Sequence, residues 1–120
     1  MQYVYEPPKL EARYEDEKWL QRKYGPNIAR GMLLFLGAVI SAENAYDLMR
    51  MPQFYMEHLK NNLKKYYSIT LDKKKSKWRV ILVMLDKNGN EAIPTSDEKA
   101  FLQATKTIKI LEMSEHYVEY

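Results

Sequence analysis

The chain has 120 residues and a formal net charge of +3, with 46% hydrophobic and 29% charged residues. That composition supports one buried core and excludes a disordered chain. The absence of cysteine excludes a disulfide scaffold, a thiolate zinc site and a cysteine nucleophile, and His58 and His116 are too few for most imidazole metal sites. The longest near-apolar run, residues 31–40, is about half of a membrane span. The opening residues lack the basic and apolar regions of a secretion signal. The expectation is a single cytoplasmic domain over 1–120 with no membrane association.

Gln2–Tyr5 reads as a short strand. Pro7-Pro8 then starts a helix over residues 9–24, in which Leu10, Tyr14, Trp19, Leu20 and Tyr24 recur at roughly helical spacing. Gly25-Pro26 ends it. A second helix over 27–41 carries Ile28, Met32, Phe35, Leu36, Val39 and Ile40 on a wide apolar face. Gly31 and Gly37 are weak helix formers there, so close helix–helix approach is the expected compensation. Residues 42–51 form a short third helix or an irregular turn, stopped by Pro52. The helical part thus runs from about 8 to 52 and has the form of a hairpin.

The hydrophobic period then changes. Tyr67, Ile69 and Leu71 alternate with Ser68 and Thr70, as in a strand with one buried face. Residues 72–76 form a polar turn. Residues 78–85 are apolar on both faces except at Arg79, as expected of a central strand. Asn88-Gly89 signals a second turn. Ser96 is placed to cap a short helix over 97–106, with Asp97 and Glu98 in its first turn. Residues 107–113 complete a sheet part spanning about 66–117. The fold class is α+β, a helical hairpin packed on a small antiparallel sheet.

Charge is concentrated in the middle of the chain. Residues 1–56 balance seven basic against seven acidic side chains, whereas residues 57–79 hold eight basic and two acidic, a net +6. Such a block attracts polyanions, and phosphate contacts supply most sequence-independent affinity for nucleic acid. For Lys73, Lys74 and Lys75 the competing reading is a solvated loop that keeps a strand edge soluble. Arg79 is the sharpest local anomaly. Burial of an unpaired guanidinium is costly, so it points to solvent, to an acidic partner such as Glu112 or Glu115, or to a phosphate. Near the end, Glu115, His116 and Tyr117 place three proton-handling groups together, although a histidine so placed is more often a plain surface residue. Tyr66 and Tyr67, two of ten tyrosines, either stack on bases or pack the sheet.

Three segments carry a family resemblance. His58-Leu59-Lys60-Asn61-Asn62-Leu63-Lys64-Lys65-Tyr66-Tyr67-Ser68-Ile69, then Trp78-Arg79-Val80-Ile81, then Ile110-Leu111-Glu112-Met113-Ser114-Glu115-His116-Tyr117 resemble the HigB branch of the RelE/ParE toxin superfamily. Its members read His-Pro-Leu-Lys-Gly-Asp-x-x-Gly-Tyr-Trp-Ser-Ile, then Trp/Tyr-Arg-Ile/Leu, then a last strand ending Asp-Tyr-His. Upstream, Tyr24-Gly25, Ala42-Glu43-Asn44 and Asp47-Leu48 with Met51-Pro52 match the layout of the family's helical hairpin. There are departures. Glu57 falls on the family's histidine and His58 on its proline, the terminal Tyr-His is inverted to His-Tyr, and residues 87–106 form an insertion.

The resemblance implies a RelE-like fold and a type II toxin: a metal-independent mRNA endoribonuclease with no cofactor. Such a toxin usually acts on the ribosome to inhibit translation, and a helix-turn-helix HigA-like antitoxin holds it inactive. By position, Arg79 is the clamp on the transition state, and Glu115, His116 and Tyr117 are the proton-transfer group. Lys60 holds phosphate, with Lys64, Lys65, Tyr66, His58 and Lys77 as further RNA-binding candidates. Two other readings share the fold. One is a ParE-like non-enzymatic inhibitor of DNA gyrase; the other is a catalytically inactive relative that binds RNA or a partner.

Overall fold

In the computed structural model, which describes residues 1–72 and 76–115, the first helical stretch is two helices rather than one. α1 spans Leu10–Tyr14 and α2 spans Glu17–Tyr24. The break lies at Asp16, whose extended backbone leaves its side chain free to accept the Trp19 N–H at 3.2 Å. An aspartate that caps a new helix competes with continuation of the old one. The turn also brings Trp19 against Tyr14, with ring centroids 6.3 Å apart.

Gly25, at φ +94°, closes α2 and opens α3 over Pro26–Ser41, with Pro26 in the first turn. This is a backbone geometry that glycine alone adopts at no steric cost. α2 and α3 pack as a hairpin, and α3 buries Ile28, Met32, Phe35, Leu36 and Val39. The two α3 glycines behave differently from the expectation. A Cβ on Gly31 would lie 3.1 Å from the Leu71 Cβ, so its close neighbour is the sheet rather than a helix. Gly37 has nothing within 4 Å of its Cβ position. The short helix α4, Ala45–Met49, is fixed by a reciprocal cap. The Asp47 N–H donates to Asn44 Oδ1, and the Glu43 N–H donates to Asp47 Oδ2, both at 3.0 Å.

The sheet has five strands in the order β1-β5-β4-β3-β2. They are β1 Gln2–Tyr5, β2 Glu57–His58, β3 Tyr66–Thr70, β4 Arg79–Leu85 and β5 Thr107–Ile110. β4 is central, as its two apolar faces require. The sheet is mixed rather than antiparallel, because β1 pairs parallel with β5, Gln2 opposite Thr107. Before β5, helix α5 spans Glu98–Ala104, and its cap is Asp97 rather than Ser96, accepting the Ala100 N–H at 3.1 Å.

One face of the sheet, bearing Tyr67, Ile69, Val80, Leu82, Met84, Ile108 and Ile110, forms the main core with the helices. The other face is not simply solvated, contrary to the alternation read from β3. Ser68 and Thr70 are buried, and Ile81, Val83 and Leu111 form a second small cluster with Tyr66 beside it. Among the described residues no helix is long and apolar enough to cross a membrane.

Candidate functional site

Strand register decides which side chains share a surface. In the β3–β4 ladder Thr70 pairs with Arg79, Ser68 with Ile81 and Tyr66 with Val83, while Lys109 on β5 also pairs with Val83. Paired residues lie on one face and alternate residues on opposite faces. Arg79, Thr70, Ser68, Tyr66 and Lys109 therefore all leave the sheet on the side away from the helices. At about 3.3 Å per residue, Arg79 stands roughly 13 Å along β4 from the row of Tyr66 and Lys109.

Arg79 is half-buried at the start of β4. Its Nη1 donates to the carbonyl oxygens of Ser76 at 2.7 Å and Trp78 at 3.1 Å. These two contacts fix the direction in which the guanidinium points. Its backbone exchanges a pair of hydrogen bonds with Ser114, each 3.0 Å long. β5 proper ends at Ile110, short of the expected 113, yet this bridge carries the pairing on to Ser114, the residue immediately before the tail cluster. Glu115 follows directly and is exposed. His116 and Tyr117 lie outside the described residues, as do Lys73, Lys74 and Lys75.

No protein-family model, no curated protein and no solved structure matches the chain. The chemistry of the site accordingly rests on its own residues.

At the opposite end of this face lies a network that the sequence reading only half contained. Lys65 Nζ is 2.8 Å from Glu91 Oε1 and 5.1 Å from the centre of the Tyr66 ring. Lys109 Nζ is 2.9 Å from Glu91 Oε2 and 3.4 Å from Glu6 Oε1. Hydrogen bonds from Lys65 and then Lys109 hold the Glu91 carboxyl below its ordinary range. The same contacts with Glu91 raise both lysines. Lys109 was not singled out in the sequence, although its place between Ile108 and Ile110 marks it as a polar break in an apolar strand. Glu91 carries no such mark, because it arrives from the turn after β4, where Asp86 Oδ1 accepts the N–H groups of Asn88 and Asn90 and Gly89 adopts φ +83°. Between the two ends sits the Ser68 hydroxyl, buried and without a hydrogen-bond partner among the described residues.

The remaining candidates separate. His58 pairs with Tyr67 on β3, hence on the face opposite Arg79. Its ring stacks on Tyr67 at 4.6 Å, its Nδ1 lies 2.7 Å from Glu98 Oε2 on α5, and its Nε2 lies 2.6 Å from the Lys64 carbonyl oxygen. That ring is committed to tying α5 and the loop after β2 to the sheet. Lys60 and Lys64 are exposed lysines flanking a single turn over Asn61–Leu63. Lys77 is exposed two residues before Arg79.

Proposed function

We propose that this chain is the toxin of a type II toxin–antitoxin pair, an mRNA endoribonuclease working in the cytoplasm, with the ribosome as its usual place of action. The observation that carries the reading is the Arg79–Ser114 backbone bridge. It joins the strand bearing the guanidinium to the segment that runs directly into Glu115, His116 and Tyr117.

The reaction needs a base, an electrophilic phosphorus and a cation. A tail side chain, His116 or Tyr117 with Glu115 tuning it, removes the proton of a ribose 2′-hydroxyl. The freed oxygen bonds to the adjacent phosphorus, the bond from phosphorus to the 5′-oxygen of the next nucleotide breaks, and that oxygen takes up a proton. The products are a 2′,3′-cyclic phosphate and a 5′-hydroxyl. Arg79, oriented by the Ser76 and Trp78 carbonyls, opposes the charge that builds on the phosphoryl oxygens, where a preoriented cation is most effective. Lys60, Lys64 and Lys77 hold flanking phosphates, and Tyr66 offers a ring to a base. An HigA-like helix-turn-helix antitoxin is the expected inhibitor.

Induced expression tests the proposal. Growth should stop while ribosome-associated messages are cut, and the cut ends should carry cyclic phosphates. Arrest with intact transcripts and loss of DNA supercoiling would replace this reading with that of a gyrase inhibitor.

A further inference from the structure

The outward side of α3 is unlike a solvated helix face. In sixteen residues the helix carries a single charged side chain, Arg30. Leu34 and Ile40 are 63% and 64% exposed, and Gly37 lies between them with open space above it. A soluble surface helix normally turns charged and polar residues outward. Alongside runs a groove of about 420 Å³ floored by Gly31, Ala38, Phe54 and Leu71. This face lies on the helical side of the sheet, behind Arg79.

We infer that α3 docks against α3 of a second copy of this chain, antiparallel, about a two-fold axis near Gly37. Charge is the argument for a copy rather than another occupant. Arg30 stands toward the N-terminal end of the helix, and the exposed Glu43 just beyond its C-terminal end. Within one copy this order opposes the helix dipole, which favours acidic groups at the N-terminal end and basic groups at the C-terminal end. Antiparallel pairing reverses the mismatch. Arg30 of each copy meets the C-terminal carbonyls and Glu43 of its partner, while Leu34 of one falls opposite Ile40 of the other. Such an interface is isologous, as two-fold contacts must be. α3 is about 24 Å long, so contact confined to it and the groove falls short of the ~800 Å² per partner of a standard interface. The dimer is therefore weak and concentration-dependent.

Sedimentation velocity on the full chain, from about 5 to about 500 μM, tests this. A reversible monomer–dimer equilibrium is expected. Leu34→Glu and Ile40→Glu should each keep the chain monomeric throughout, and their exposure leaves the fold, read by circular dichroism, unchanged. Gly37→Gln probes the same face at a site with open space, should either of those variants fold poorly. Arg30→Glu and Glu43→Arg should each weaken the dimer about tenfold or more, and the double reversal should restore it. A chain that is monomeric at every concentration overturns the inference. So does a dimer indifferent to these variants, a double reversal without rescue, or a monomer that uses Leu34 to bind a different protein.

Discussion

The hydroxyl of Tyr14 accepts a hydrogen bond from the Met113 N–H at 2.9 Å, entirely inside the protein. It links the first helix to the residue before Ser114, and so braces the backbone that pairs with Arg79. Burial pushes the Tyr14 phenol far above its ordinary range, which keeps it neutral at any physiological pH. Tyr14→Phe retains the ring and leaves the Met113 N–H without this acceptor. A buried donor left unsatisfied costs about 1–3 kcal/mol, and urea denaturation at neutral pH should show that loss.

Arg79 and His58 separate chemistry from architecture. Arg79→Ala should lower RNA cleavage by about 10²–10³-fold, the usual cost of removing a group that stabilises transition-state charge. Arg79→Lys should recover little, because an ammonium cannot reproduce the planar fork. His58→Gln, on the far face, should leave cleavage intact while loosening α5, whose Glu98 it contacts at 2.7 Å. Single-turnover cleavage of a short RNA beside thermal melts of all three variants checks the division. Full cleavage by Arg79→Ala removes the guanidinium from the mechanism.

The Glu91 network makes stability depend on pH in a defined direction. Folded Glu91 titrates below its ordinary 4.5 because Lys65 and Lys109 donate to the carboxylate. As acid is added the unfolded chain binds that proton first. The contribution is therefore complete above 4.5 and disappears as pH falls through the folded value. Lys65 and Lys109, raised by the same contacts, contribute below their ordinary 10.5 and lose that contribution as pH rises through their folded values. With the Glu91 and Lys65 side chains 35% and 37% exposed, solvent screening limits the effect of Glu91→Gln to about 0.2–1 kcal/mol at pH 7. In acid well below the carboxylate range, the variant and the natural chain should denature together.

The two glycines of α3 should respond oppositely to substitution. At Gly31, where a Cβ would meet Leu71 at 3.1 Å, Gly31→Val overpacks the helix–sheet contact and should cost about 1–3 kcal/mol. At Gly37, where nothing lies within 4 Å, Gly37→Ala should stabilise the dilute chain by about 0.5–1 kcal/mol, the difference in helix propensity. Differential scanning calorimetry of both variants at low concentration gives the comparison.

What the sequence disclosed was what local chemistry encodes. The switch from helical to alternating period near residue 66, the apolar central strand and the Asn88-Gly89 turn each depend on neighbouring residues, and each lies where it was read. The break at Asp16 was missed because Leu10, Tyr14, Trp19 and Leu20 keep helical spacing across it; only the Asp16 side chain's bond to the Trp19 N–H reveals the new start. The parallel β1–β5 pairing has no local signature at all. Burial of Ser68 and Thr70 was hidden because short polar side chains read as solvent-facing, while the residues opposite them, Ile81 and Arg79, belong to another strand. For the site, Arg79 was legible as a charge in an apolar run, but its partner Ser114 and the engagement of His58 by Glu98 are consequences of register.

Because Gln2 finds its partner in Thr107, far along the chain, β1 is a strand without a ladder until β5 has been made. A nascent chain can assemble the α2–α3 hairpin from near neighbours at little entropic cost, but closing that edge waits for β5 to emerge. Ordering by distance along the chain makes completion of the sheet the late event in folding. The Arg79–Ser114 bridge forms only after β4 and the segment beyond β5 have both been made, so it too belongs to the later events.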